Sequence, residues 1–145
     1  MERTFESKIA VVTGGAKGIG KCICKEFEKQ GANVCVIDLL ANPYFTGDLA
    51  DKSTLGRFAA KVIADYGRVD YLVNNALPLF KGIDQCSYEE FEYAQRVGVT
   101  APFYLTKLFL SYGACHPPRR SSPRSQPWRW CSHSRHTRTG NNAPP

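Results

Sequence analysis

The clearest chemistry in this sequence lies in a glycine-rich stretch, Thr13-Gly14-Gly15-Ala16-Lys17-Gly18-Ile19-Gly20, which joins an apolar run to a helical pattern. Gly14 permits a sharp turn out of a strand, Gly18 permits close approach of the backbone to a pyrophosphate, and Gly20 permits close packing of the following helix. The amides and the dipole at the N-terminus of that helix attract phosphate charge. This stretch therefore predicts a phosphate-binding turn.

A carboxylate follows the turn at an informative spacing. Asp38 lies 18 residues after Gly20, at the end of the next apolar run. A carboxylate at that place accepts hydrogen bonds from the hydroxyls of an adenosine ribose. The strand, the turn, the helix and the carboxylate together predict a dinucleotide-binding site, against the alternative of a turn that serves packing alone.

The elements that must position these residues alternate short β-branched runs with helical patterns. Such alternation is typical of a parallel sheet covered by helices. The pattern predicts strands at Lys8–Val12, at Asn33–Ile37, around Tyr44–Thr46 and at Val69–Val73.

The helices between these strands are predicted from apolar faces that repeat every three or four residues. The first helix, which ends near Gly31, has the face Ile19, Cys22, Ile23 and Phe27. The second, which ends at Gly67, has the face Leu55, Phe58, Ala59, Val62, Ile63 and Tyr66.

Two more helices are predicted after the last strand. Ser87 followed by Glu90 forms a capping box, which starts a helix over about 88–97. A separate helix over 101–112 has Pro102 near its first turn. Its apolar face consists of Ala101, Leu105, Leu108, Phe109 and Tyr112.

Two further motifs accompany the glycine turn, namely Gly47-Asp48-Leu49 and Asn74-Asn75-Ala76. Together with the spacing Thr13-Gly14-xxx-Gly18-x-Gly20, they resemble the motifs of the short-chain dehydrogenase/reductase family. The resemblance runs in register over residues 5–112. It implies an NAD(P)-dependent oxidoreductase that transfers hydride between a nicotinamide cofactor and a small alcohol or carbonyl substrate.

The resemblance also implies roles for single residues. Asp48, in the family's adenine-contacting turn, meets the amino group of the base, and the Asn74-Asn75-Ala76 motif supports the fourth strand and lines the ribose. The residues assigned to the cofactor are Thr13, Gly14, Lys17, Gly18, Ile19, Gly20, Asp38, Asp48, Leu49, Asn74, Asn75 and Ala76.

The choice between NAD and NADP depends on two of these residues. Asp38 favours NAD, because a carboxylate repels the 2′-phosphate of NADP and bonds a free 2′-hydroxyl. Lys17 favours NADP, since a basic residue in this turn accompanies NADP use in parts of the family. We expect NAD to be the preferred cofactor.

The sequence departs from the family pattern where the catalytic chemistry belongs. Leu77 stands in place of a glycine, and Gly98 stands in place of the asparagine that holds a water in the family's proton relay. None of the seven tyrosines has a lysine four residues later, so the catalytic Tyr-x-x-x-Lys and its serine are absent. Tyr104 and Lys107 are interpreted as a helix-surface pair. We therefore predict cofactor binding with little or no turnover and assign no catalytic residue.

The last 33 residues differ in composition from the rest of the chain. Residues 113–145 contain six arginines, no acidic residue and no branched aliphatic residue, and they carry the whole net charge of +6. The favoured interpretation is a shifted reading frame from about Ser111 onward. The alternatives are nucleic-acid binding through the arginines with Trp128 and Trp130, a disordered interaction tail of a non-catalytic binding protein, and a zinc site. The candidate zinc ligands, which match no common spacing, are Cys115, His116, Cys131, His133 and His136.

These observations predict one α/β domain over residues 1–112, followed by a disordered tail over 113–145. The fold expected is a partial doubly wound parallel sheet of the Rossmann type with strand order 3-2-1-4. Self-association is expected through the exposed strand edge at Val69–Val73 and the helix over 101–112. No apolar run is long enough to span a membrane. Because the six cysteines form no CxxC pair and no secretory pattern precedes them, a cytoplasmic location is expected.

Overall fold

The computed structural model describes residues 4–78 and 81–110, which form a parallel sheet with helices on both faces. The strands are β1 (Ile9–Thr13), β2 (Asn33–Asp38), β3 (Phe45–Thr46) and β4 (Tyr71–Val73). The helices are α1 (Gly18–Lys29), α2 (Lys52–Tyr66), α3 (Tyr88–Gln95) and α4 (Ala101–Leu110), with a π-helical segment (Arg96–Thr100) between the last two. The disorder, nucleic-acid and zinc predictions for residues 113–145 lie outside the described residues.

The sheet has the strand order β3-β2-β1-β4 with every pairing parallel. Val11 at the centre of β1 lies opposite Cys35 of β2 on one side and Leu72 of β4 on the other. The predicted Rossmann-type sheet with order 3-2-1-4 is therefore confirmed. In this arrangement the carboxyl ends of β1, β2 and β4 meet at one edge.

The core is divided between the two faces of the sheet because side chains alternate along each strand. On one face, Val11 and Ile37 pack with Phe58 of α2 and Leu105 of α4. On the other face, Val12 and Val36 pack with Cys24 of α1. Both faces of the two central strands are buried, which explains their nearly continuous apolar sequences.

Helix α1 packs on the sheet with only part of its predicted face, because Ile23 and Phe27 are half-buried and Ile23 packs against the cluster of Val12 and Val36. Ile19 is 75% exposed and Cys22 is exposed, whereas Gly20 and Cys24 are the buried residues of this helix. The reason lies in the close packing of Gly20 on the carbonyl of Gly14, which a Cβ would approach to 2.1 Å. Since only glycine fits there, Gly20 fixes the rotation of the helix and turns Ile19 outward.

Helix α2 agrees with its predicted face over most of its length. Leu55, Phe58, Ala59 and Val62 are buried. Tyr66 is 38% exposed, so its assignment to that face is wrong. It lies in the last turn, directly before Gly67, which ends the helix in the left-handed region with φ +72°.

The two helices predicted after the last strand are one continuous helical run. The capping box is present at its start, where Ser87 and Glu90 exchange hydrogen bonds. The run widens into the π segment, in which the Ala101 amide donates to the carbonyl of Arg96, five residues back. Pro102 has no amide to donate, so the regular helical hydrogen bond is missing directly after the π segment.

Strand β4 begins at Tyr71 and is therefore shorter than the predicted strand Val69–Val73. Asp70, which precedes it, is nevertheless hydrogen-bonded to β1. The Asp70 amide donates to the carbonyl of Ile9. The Asp70 carboxylate accepts from the Ile9 amide and forms ion pairs with Lys8 and Arg68.

Among residues 4–78 and 81–110, no helix combines the length and apolar character needed to cross a membrane.

Candidate functional site

A cleft of about 980 Å³ opens where the carboxyl ends of β1, β2 and β4 meet. Its lining comes from the glycine turn and the start of α1, the end of β2, the loop after β4, and one side of α3 with the π segment. In open parallel sheets, ligands bind at this edge, in the crevice between loops that diverge to opposite faces. The cleft is therefore the candidate functional site.

The glycine turn forms the floor of the cleft, and its glycines are required for different reasons. Gly14 and Gly18 have φ +68° and φ +56°, in the left-handed region. A Cβ on Gly14 would lie 2.9 Å from the Cα of Ala76, whereas a Cβ on Gly18 would meet nothing within 4 Å. Gly14 thus lets the turn approach the loop after β4, and Gly18 leaves the backbone open toward the cleft.

Gly15, to which no role was assigned from the sequence, supports the turn on the side away from the cleft. A Cβ there would lie 2.9 Å from the Cys24 Sγ and 2.9 Å from a methyl group of Val36. The Cys24 thiol lies 3.9 Å from the carbonyl of Gly15, and burial is the main reason that its pKa is raised to about 11. The thiol is therefore protonated at neutral pH, and it packs against Gly15 and Val36.

The start of α1 offers hydrogen-bond donors to the cleft. Within the described part of the chain, no acceptor bonds the amides of Gly18, Ile19 or Gly20, and no acidic residue lies in the first turn. The exposed Lys17 precedes the helix and adds a positive charge to its dipole. Free amides at a helix N-terminus form a binding site for phosphate or another anion.

Asp38 lies beside these donors, and its carboxylate joins two of the segments that line the cleft. Its Oδ2 accepts from the Ala16 amide and its Oδ1 accepts from the Leu40 amide, both at 2.9 Å. None of the ion pairs in the described residues involves Asp38. Each carboxylate oxygen keeps a further lone pair, so the group can still accept hydrogen bonds from ligand hydroxyls.

Thr13 and Asn75 hold the end of β1 to the loop after β4. The Thr13 Oγ1 accepts from the amides of Asn75 and Ala76 at 3.0 Å. The Asn75 Nδ2 donates to the carbonyls of Thr13 and Gly14 at 3.1 Å. Thr13 is buried and shapes the cleft from beneath, whereas Asn75 and Ala76 are part of its wall.

The cleft brings together eight of the twelve residues assigned from the sequence. These are Gly14, Lys17, Gly18, Ile19, Gly20, Asp38, Asn75 and Ala76. Thr13, Asp48, Leu49 and Asn74 do not line it. The Leu49 side chain is buried in the core, which leaves only its backbone for a ligand. The Asp48 Oδ1 accepts from the Ala50 amide and from the Tyr93 hydroxyl.

Sequence reasoning missed the wall that α3 and its flanks contribute. Cys86, Glu89, Glu90, Tyr93 and Val97 line the cleft at helical spacing. Because this face mixes charged, polar and apolar side chains, hydrophobic periodicity does not detect it. The exposed Leu39, Leu40 and Leu77 add apolar surface near the glycine turn and Asp38.

Two interactions stabilise the α3 side of the cleft. Lys81 forms an ion pair with Glu90, which raises the pKa of Lys81 and lowers that of Glu90. Burial, together with the hydrogen bond to Asp48, raises the pKa of Tyr93. Its hydroxyl is therefore protonated across the physiological pH range.

Comparison with known proteins identifies relatives of this chain. A family model described as short chain dehydrogenase matches residues 8–114. Momilactone A synthase of Oryza sativa subsp. japonica is 32% identical over 83% of this chain and 49% of its own length. L-rhamnose 1-dehydrogenase (NADP(+)) of Thermoplasma acidophilum is 31% identical over 71% of this chain and 48% of its own length. The chain spans about half the length of the curated relatives it matches.

The chain is also similar to solved structures over about three quarters of its length. An apo SCOR enzyme from Clostridium thermocellum is similar with a TM-score of 0.67 and 37% identity, over 73% of this chain and 49% of that one. A metagenomic short-chain oxidoreductase in complex with NADP is similar with a TM-score of 0.67 and 27% identity, over 74% of this chain and 56% of that one.

Proposed function

The chain belongs to the short-chain dehydrogenase family, and from this premise we propose that its cleft binds a nicotinamide adenine dinucleotide. The observation that carries the proposal is the convergence, in one cleft, of the unbonded amides of α1 and the Asp38 carboxylate. The amides suit a pyrophosphate and the carboxylate suits a ribose, and a dinucleotide contains both. When bound, such a cofactor supplies or accepts a hydride.

The residues present fit this cofactor by their chemistry and by the space around them. The amides of Gly18 and Ile19, with the charge of Lys17, would hold the pyrophosphate. The open space beyond Gly18 admits a ligand close to the backbone. Asp38 would hold the adenosine ribose, and the apolar side chains of Leu39 and Leu40 would cover its base.

We propose NAD as the preferred form of the cofactor. The 2′-phosphate of NADP would meet the Asp38 carboxylate, which no cation of the described residues neutralises. Lys17 favours the opposite choice, and the names of the rhamnose dehydrogenase and of the metagenomic oxidoreductase described above include NADP. We give Asp38 more weight because its carboxylate is fixed by two amides, whereas Lys17 is an exposed, flexible side chain.

Calorimetric titration of the full chain with NADH and with NADPH tests the proposal. We expect saturable binding of both, with the smaller dissociation constant for NADH. Tighter binding of NADPH would contradict the preference, and binding of neither would contradict the proposed function itself.

We also propose that these 145 residues bind the cofactor without turning over an alcohol or carbonyl substrate. A catalytic tyrosine needs a depressed pKa to exchange a proton at neutral pH. Tyr93, the tyrosine that lines the cleft, has a raised pKa and donates to Asp48. Tyr104 packs against the core cluster and does not line the cleft.

Stopped-flow and long-term absorbance measurements with NADH and a panel of aldehydes and ketones test this second part. We expect the nicotinamide absorbance to decay no faster than in the absence of protein. Stoichiometric oxidation of NADH with reduction of a carbonyl compound would contradict it.

A further inference from the structure

Tyr93 connects two parts of the molecule that are far apart in sequence. Its side chain lines the cleft from α3, and its hydroxyl donates to the Oδ1 of Asp48 at 3.1 Å. Asp48 lies in the turn between β3 and α2, 45 residues earlier. No role was assigned to Tyr93 from the sequence.

The turn that carries Asp48 lies beside the residue that would hold the ribose. The Gly47 amide donates to the carbonyl of Asp38 at 2.9 Å, and β3 pairs Thr46 with Asp38. A base attached to a ribose at Asp38 therefore has Asp48 within its neighbourhood. Burial of Leu49 in the core holds the turn in this place.

The hydrogen bonds of Asp48 leave one carboxylate oxygen for a ligand. Oδ1 accepts both from the Ala50 amide at 2.8 Å and from the Tyr93 hydroxyl. Among the described residues, no donor contacts Oδ2. Because an ionised carboxylate only accepts hydrogen bonds, Oδ2 favours a donor on the ligand, such as an exocyclic amino group.

We propose that Tyr93 is the positioning residue for recognition of the base: by holding Oδ1 of Asp48, its hydroxyl directs Oδ2 toward the 6-amino group of adenine. This inference rests on the proposed function. Without the hydroxyl, the Ala50 amide is the one described donor left on Oδ1, so the plane of the carboxylate is held less firmly and Oδ2 is aligned less well with the amino group. With its carboxylate held in place, Asp48 thus favours a dinucleotide whose base carries a 6-amino group.

The test compares NADH with its hypoxanthine analogue, in which an oxo group replaces the 6-amino group. We expect wild-type chain to bind NADH about tenfold more tightly, as one hydrogen bond to a charged group provides. In Tyr93→Phe, which keeps the aromatic ring, we expect this ratio to fall at least about threefold. Tyr88→Phe is the matched control, since Tyr88 is an exposed tyrosine of the same helix that does not line the cleft.

A second variant separates positioning from a structural role. In Asp48→Asn the amide oxygen would accept from Tyr93, and the amide nitrogen would face the base and donate to the oxo group of hypoxanthine. We expect the preference to invert in Asp48→Asn and to be smaller in the double variant with Tyr93→Phe, where the Ala50 amide alone orients the side-chain amide. A merely structural Tyr93 would leave the inverted preference unchanged.

The outcomes distinguish this inference from the proposed function. An unchanged ratio in Tyr93→Phe, or a wild-type chain that binds both dinucleotides equally, overturns the assignment of Tyr93 and leaves cofactor binding intact. Failure of the wild-type chain to bind either dinucleotide overturns the proposed function together with this inference.

Discussion

Asp38 shapes the cleft and, under the proposed function, also binds the ribose of the cofactor. The same carboxylate oxygens that face the cleft hold the amides of Ala16 and Leu40, and so join the glycine turn to the end of β2. Under the proposed function, a substitution at Asp38 therefore changes both the stability of the chain and its affinity for a cofactor. The two effects are separable because only affinity distinguishes NADH from NADPH.

We predict that Asp38→Ala weakens binding of NADH more than binding of NADPH. The lost charge-assisted hydrogen bond to the ribose is worth about 1.5–3 kcal/mol, and removal of the carboxylate relieves repulsion of the 2′-phosphate. Calorimetric titration measures the ratio of the two dissociation constants. Asp84→Ala, an exposed carboxylate that does not line the cleft, is the control. Equal weakening of both cofactors would make Asp38 structural only.

Gly20 lies where helix α1 packs most closely on the glycine turn. A Cβ there would lie 2.1 Å from the Gly14 carbonyl oxygen and 2.5 Å from the Asn75 Nδ2, so Gly20→Ala must displace backbone. We expect a loss of about 1–3 kcal/mol in the free energy of unfolding. Gly56→Ala, in the middle of α2 with nothing within 4 Å of the added methyl group, should instead stabilise by about 0.4–1 kcal/mol. Denaturant unfolding of both variants provides the measurement, and equal effects would contradict this account.

At the scale of elements, α2 depends on a charged cap. Asp51 precedes the helix, and its carboxylate accepts from the side chains and amides of Ser53 and Thr54. These bonds, first of all that from the Ser53 hydroxyl, lower the pKa of Asp51 to about 2. A carboxylate whose pKa is lower in the folded state contributes stability above its unfolded pKa and loses it as the pH falls through the folded pKa.

We therefore predict that α2 loses the contribution of its cap between about pH 4 and pH 2. Asp51→Ser keeps a capping oxygen without a charge, so its stability should fall less steeply than that of wild type over this interval. Thermal unfolding followed by circular dichroism at closely spaced pH values gives the slopes. Parallel slopes for the two proteins would show that other carboxylates determine the acid sensitivity.

The elements also show what could be predicted from the sequence and what could not. The capping box at Ser87 and the stop at Gly67 were predictable because they depend on a few adjacent residues. The outward position of Ile19 and the π segment were not, since the first depends on the close packing of Gly20 on the Gly14 carbonyl and the second on the missing amide of Pro102. In the site, the glycine turn and Asp38 were predictable from spacing. The α3 wall with Tyr93 was not, because its mixed face has no apolar period.

At the scale of the whole molecule, apolar surface remains where the described elements end. Strand β4 pairs with β1 on one side, and among residues 4–78 and 81–110 no strand pairs with its other side. Helix α4 and the π segment before it expose Val99, Phe103 and Leu110 between 60% and 70%. An open strand edge promotes pairing with other chains, and an apolar patch promotes association.

The last prediction is that the 145-residue chain self-associates at micromolar concentration and unfolds with low cooperativity on heating. The two surfaces can be tested separately, because a lysine opposes strand pairing at an edge and hydrophobic contact on a helix. Tyr71→Lys changes the edge, where Tyr71 is 37% exposed, and Phe103→Lys changes the helix, where Phe103 is 66% exposed. Sedimentation velocity should show smaller species for whichever variant carries the contact. A monodisperse wild-type monomer with a sharp thermal transition would contradict the prediction and would require another part of the chain to cover both surfaces.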